Sequence, residues 1–342
     1  MMSHDYLRFC LTGQRACEIT NISESNLFNM EKGCYDIELA KMLGIEEAFA
    51  KLPKVVGATE VCGYVTKEAA ELTGLYEGTP VVGGLFDVVS VAICAGLQDD
   101  TALNVSMGTW AVATGYTNQI TNDEHPFVYG RHANEGHYIV HEASPTSSGN
   151  LEWICDKFNV HDFGQINSLV ESVVKEPNDV LFIPFLYGNN ASLDSTAGFY
   201  GLQSSHSLAH IFNAVFEGVV FSHLKHNKSV MRKFKNVNRL VVTGGPTNSD
   251  VWMQILADAS GIDLIIPTLK ETGCLGAAMM AQVGTGLFKS VQDAQNNLHV
   301  DTKIIHPNMD NYDRYQEKYF KYTTLVNCLS EYHQIVNNKI KG

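Results

Sequence analysis

The run Arg239-Leu-Val-Val-Thr243-Gly244-Gly245-Pro-Thr-Asn248-Ser249-Asp250 decides the fold class. Arg239–Thr243 is apolar and β-branched, as a buried strand requires, and a helical pattern runs from about Ser249 to Ala259. A strand that passes through two glycines into a helix aims free helix N–H groups at an anion or a nucleotide. Asn248, Ser249 and Asp250 supply the polar first turn. The residues match neither GxGxxG nor GxxxxGK[ST], so neither a dinucleotide fold nor a P-loop is indicated. A structural Gly-Gly turn closed by an N-cap accounts for the same segment equally well.

Outward from this run, strands and helices alternate. Leu264–Ile266 reads as a strand and Gly273–Gln282 as a helix; upstream, Leu208 to Lys225 and Ser147 to Phe158 read as helices, and Leu181–Phe185 and Tyr138–His141 as strands. That alternation implies an α/β layered domain. Thr101–Ser106 and Trp110–Thr114 form two strands joined at Met107-Gly108-Thr109. This turn, with its glycine and hydroxyls, can offer donors to a phosphate; taken alone, an ordinary hairpin explains it better. Further upstream, Thr79–Leu85 is a strand opened by Pro80, and Asp87 precedes a small-residue helix, Val88–Gly96. A carboxylate just beyond a strand stands where α/β sheets bind ligands and can act as a general base. By itself the same aspartate reads first as an N-cap.

Residues 5–13, 36–44 and 67–74 read as short helices, each stopped by a glycine. The polar break at Gln98–Asp100 divides the chain into 1–97 and 98–342. Tyr312, Tyr315, Tyr319, Tyr322, Val326 and Leu329 recur at spacings of three and four, one face of a helix that docks on its own domain.

With 342 residues, 45% of them hydrophobic and 18% charged, the chain has the composition of a soluble globular protein. Its 24 Lys and Arg against 37 Asp and Glu give a net charge of −13, with no basic block, which argues against nucleic-acid binding. The apolar stretches are too short for a membrane span, and MMSHDYLRFCLTG lacks the features of a signal peptide, so the cytoplasm is expected. The eight cysteines form no CxxC pair and no zinc-ligand cluster. Buried, reduced thiols are expected, Cys94 and Cys274 among them. Histidines at helical spacing (His206/His210, His223/His226) occur without HExxH, and no metal ligands are read from the sequence. A homo-oligomer is left open.

TPVVGGLFD, LNVSMGTWAVATG, SPTSSGNLEW, AGFYGLQSSHSLAHIFNAVFE, TGGPTNSDVWMQILADASG and ETGCLGAA resemble, in order, the motifs of the FGGY carbohydrate kinases, relatives of glycerol kinase, xylulokinase and hexokinase. The resemblance covers the chain from Asp5 onward. It implies an α/β, actin/hexokinase-like (ribonuclease H-like) lobe, preceded by an incomplete first lobe. Residues 1–97 would be the C-terminal remnant of the sugar-binding lobe, and 98–342 the nucleotide-binding lobe. It implies Asp87 as catalytic base, Gly108 and Thr109 at the phosphates, and Ser148 beside the nucleotide where relatives often carry glycine. Gly244, Gly245 and Ser249 map onto adenine and ribose contacts, and Gly201, His210 and Glu217 onto a C-terminal signature. The implied reactants are ATP, with Mg²⁺, and a small sugar, a ketopentose, with L-xylulose expected. The family begins with a DxGT-type loop that has no counterpart before Asp5. A truncated chain is therefore expected, and a non-catalytic nucleotide- or sugar-binding remnant stands beside the active kinase as a reading.

Overall fold

In the second half of the chain the strand Arg239–Thr243 lies between two parallel neighbours. Val241 stands opposite Asn104 of Ala102–Met107 and opposite Ile265 of Asp263–Pro267. Leu240, Val241 and Val242 are all buried, as expected of a parallel strand covered on both faces. The helix Asp250–Ser260 makes the crossover between Arg239–Thr243 and Asp263–Pro267. Ser249 starts that helix by accepting the Trp252 N–H at 3.2 Å, and Gly261, in the left-handed region at φ 68°, ends it. An antiparallel strand, Thr302–Ile305, closes the edge beside Asp263–Pro267.

This computed structural model describes residues 2–121, 127–188, 195–269 and 271–340. The chain forms two compact units, each assembled from three stretches. The first comprises Met1–Asp99, Thr114–His141 and Leu269–Asp301; the second comprises Asp100–Ala113, Glu142–Thr268 and Thr302–Gly342. The strands Ala111–Thr117 and Tyr138–Ser144 have residues in both. Among the described residues no helix is long and apolar enough to cross a membrane.

In the second unit the long helix Leu208–Val230 is buried over most of its surface and packs on the strand Leu181–Ile183. Gly218 permits this approach, because a Cβ there would collide with the Phe182 carbonyl. The C-terminal helix, Met309–Ile340, buries Tyr315, Tyr322 and Val326, the face marked by the three-and-four spacing. Lys318 of the same helix reaches the buried Glu217 at 2.5 Å. The signature residues thus have structural partners. Gly201 lies against the Asp179 carbonyl at φ 84°, and His210 Nδ1 accepts the Ser207 N–H to box the helix N-terminus.

The first unit is held by helix Asp87–Cys94 against helix Thr272–Gly284. Ser90 Oγ donates to the Gly273 carbonyl at 2.8 Å, and Gly276 leaves room for it. Val89, Ile93, Met280 and Ile139 form the core there. Gly13 and Gly74 end their helices in the left-handed region. Cys17, Cys62, Cys94 and Cys155 are buried, whereas Cys10, Cys34, Cys274 and Cys328 are exposed, which corrects the expectation of burial for those four; all eight cysteines are free.

Candidate nucleotide site and catalytic carboxylate

Three separate segments meet at the turn after Met107. Ser148 points both its N–H (3.1 Å) and its Oγ–H (2.6 Å) at the Gly108 carbonyl. Gly244, at φ 109°, lies so close to the Met107 carbonyl that a Cβ would collide with it. Only glycine combines that backbone conformation with that approach. Gly108, Ser148 and Gly244, distant in sequence, are therefore neighbours. Space is open where a Cβ would stand on Gly108 and on Gly245, so a ligand could approach the backbone closely at both. Thr109 is exposed on the same turn.

Beside this turn lies a cavity of about 300 Å³. Ser148, Gly245 and Ser249 line it, together with residues the sequence reading did not single out, among them Glu152, Phe163, Asn167 and Trp252. Its floor is aromatic: the Phe216 and Trp252 rings stack with centroids 4.0 Å apart at 11°, and Trp252 Nε1 donates to the Phe216 carbonyl. An apolar floor with a few polar groups at the rim suits a flat ring such as a nucleobase. Phe163 and Asn167 come from a helix, Phe163–Val173, that the sequence reading passed over. Its signal was present: Asp162 caps Gly164 and Gln165, and Ile166, Val170 and Val173 recur at helical spacing.

The approach to this cavity differs from the expected strand–glycine–helix geometry. A 3-10 turn, Gly245–Asn248, precedes the helix and satisfies its own polar groups. Thr247 Oγ1 donates to Gly244 O and Asn248 Nδ2 to Gly245 O. Ser249 Oγ caps Trp252 and donates to Asn167 Oδ1 at 2.7 Å. Behind the site, Ser147 Oγ pairs with His223 at 2.8 Å in the core, where burial holds the imidazole down to about 3.

Asp87 belongs to the first unit. It is the first residue of helix Asp87–Cys94, follows Phe86 as N-cap, and is exposed. Among the described residues its Oδ1 takes only the Val88 N–H, so it does not serve as an ordinary N-cap. The segment before it is held from behind. Arg8 is buried and donates to the Gly83 and Ala16 carbonyls and to Asp5, while Gly83 packs on the Gly57 carbonyl. Phe86 N–H is taken by Thr20 Oγ1 at 2.9 Å. Nearby, burial and then the Asp87 charge push the Glu24 carboxyl up to about 7. The Asp87 carboxylate thus stands exposed at the end of a fixed backbone.

Residues 1–94 match the N-terminal domain, and residues 103–285 the C-terminal domain, of the FGGY family of carbohydrate kinases. The chain is 52% identical over 334 residues to an Escherichia coli K12 protein named L-xylulose/3-keto-L-gulonate kinase, covering 97% of this chain and 67% of that one. A Haemophilus influenzae protein named probable L-xylulose kinase is 50% identical, with 96% and 67% covered. Among solved structures, xylulose kinase from Rhodospirillum rubrum superposes with a TM-score of 0.83 at 23% identity (97% and 68% covered). Ligand-bound xylulose kinase from Lactobacillus acidophilus gives 0.86 at 21% (95% and 67%). The fold is thus the α/β, actin/hexokinase-like fold of these sugar kinases. Two domain matches in sequence order, together with relatives identical at half their aligned positions, show that the chain belongs to the FGGY family of carbohydrate kinases.

Proposed function

We propose that the protein transfers the γ-phosphoryl group of ATP to a hydroxyl of a ketopentose, making L-xylulose 5-phosphate from L-xylulose. The observation that carries the phosphoryl-transfer reading is the convergence of Ser148 and Gly244 on the Met107–Gly108 turn beside an aromatic-floored cavity. The names of the relatives at 50 to 52% identity support the sugar. In this reading residues 1–97 carry the sugar-binding part and the base, and 98–342 form the nucleotide-binding lobe.

Asp87 accepts the proton of the sugar hydroxyl as its oxygen attacks the γ-phosphorus in line. Its exposure leaves it open to substrate, and the Arg8-braced backbone fixes its position. Backbone donors at Gly108, with Thr109, stabilise charge on the transferring group. Gly244, Gly245, Ser148 and Ser249 shape the nucleoside end. Among the described residues no three His, Cys, Asp or Glu side chains are placed to hold a metal. Mg²⁺ would come bound to the triphosphate, as its preference for phosphate and water oxygens allows, and would neutralise phosphate charge.

The test is a coupled assay with ATP and L-xylulose, beside a calorimetric titration with nucleotide. Asp87→Asn is expected to abolish turnover and leave nucleotide affinity unchanged. Sizeable residual turnover would remove Asp87 from the role of base. Nucleotide binding by the unsubstituted chain with no turnover on any ketose would favour a binding remnant instead.

A further inference from the structure

We infer that Asn167 reads the nucleobase in the 300 Å³ cavity, donating a hydrogen bond from Nδ2 to an acceptor atom on the base edge. The inference rests on the nucleotide-binding part of the proposed function and assigns a contact within it.

Most polar side chains around the cavity are engaged by the protein itself. Ser148 Oγ is spent on the Gly108 carbonyl. Asn248 is exposed and gives one of its two Nδ2 hydrogens to the Gly245 carbonyl. Ser249 Oγ accepts the Trp252 N–H, which leaves its one hydrogen for Asn167 Oδ1 at 2.7 Å. That last bond also fixes the amide: with Oδ1 turned to Ser249, Nδ2 is the end left over. Its two hydrogens have no partner among the described residues, and it is not shut away in the core. Glu152, which also lacks a hydrogen-bond partner among the described residues, is exposed at the rim. Asn167 is therefore the half-buried amide of this cavity with both donor hydrogens uncommitted among the described residues, in the same lining as Phe216 and Trp252. A nucleobase has the flat apolar faces and the ring-nitrogen or carbonyl acceptors to match. Ser249 acts as a positioning residue: it holds the amide in the donating orientation.

Calorimetric titration of the full chain with ADP, and separately with tripolyphosphate, tests this without requiring turnover. Asn167→Ala is expected to raise the Kd for ADP about tenfold, the loss of one well-placed hydrogen bond. Asn167→Asp is expected to raise it further, because an acceptor then faces an acceptor. Tripolyphosphate, which has no base, should bind all three proteins alike. ADP affinity within twofold of the unsubstituted chain in both variants would overturn the inference and leave the kinase reading standing. Equal losses for ADP and tripolyphosphate would also overturn it, since the residue would then be supporting the fold. No ADP binding by the unsubstituted chain would sink both readings together.

Discussion

A single glycine shows how finely the nucleotide side of the protein is specified. Gly244 has φ 109° and lies against the Met107 carbonyl, whereas Gly108 has open space and no unusual φ. Gly244→Ala must therefore strain its backbone and push the turn aside, at a cost of about 2–4 kcal/mol in chemical unfolding. Gly108→Ala should change stability by less than about 0.5 kcal/mol. If Gly108 meets phosphate, that neutral substitution should still lower turnover, because the new methyl group occupies the ligand's approach. A Gly108→Ala enzyme with full activity would show that the phosphates lie elsewhere. The strand–Gly-Gly–helix order was legible in the sequence because turns leave local marks, whereas Ser148 was named only through the family resemblance. The commitment of the Ser249 hydroxyl was not legible, since its partner Asn167 is 82 residues away in the chain. Arg8 was hidden for the same reason: it reads as a helix-surface cation until Gly83, 75 residues on, is brought over it.

Elements with a strong period and a stop signal were the most legible. Gly13, Gly74 and Gly261 end helices because each supplies the left-handed residue that closes the last turn. The strands Ala16–Glu18 and Lys54–Val56 pair in parallel but span three residues each, too few to show alternation. The stretch around Asn29 folds as a hairpin of two-residue strands, Phe28–Asn29 with Cys34–Tyr35, which are also too short to show alternation. The C-terminal helix allows a direct test of periodicity. Tyr322 is 1% exposed and touches the Phe221 ring, while Phe320, two residues earlier, is 70% exposed. Tyr322→Ala should cost about 3–5 kcal/mol of stability, and Phe320→Ala less than about 0.5 kcal/mol. Equal effects would mean that this helix does not dock through the tyrosine face.

At the scale of the whole molecule, buried titratable groups set the response to acid, and they are unevenly shared between the two units. In the second unit, burial holds His223 down to about 3, against an ordinary value near 6.5. Between those values the unfolded chain takes a proton that the folded unit refuses. Stability is therefore lost as pH falls below about 6.5, by about 1.4 kcal/mol per pH unit. In the first unit burial lowers His132 to about 3 and His141 to about 4, which acts in the same direction. There, however, burial raises Glu18 to about 7, and burial with the Asp87 charge raises Glu24 to about 7. These carboxyls keep a proton that the unfolded chain releases above about 4.5, so they gain stability as pH falls from 7. In the first unit the raised carboxyls oppose His132, His141 and also His4, which burial lowers too; among the described residues of the second no raised carboxyl opposes His223. Hydrogen exchange measured at pH 7 and pH 5, corrected for intrinsic rates, should show protection in Arg239–Thr243 falling by about 2 kcal/mol while that in Asp87–Cys94 falls by less. His223→Gln, which keeps a polar partner for Ser147 but cannot titrate, should abolish most of the difference. Equal loss of protection in both segments would show that they open together, and that the acid response is not divided in this way.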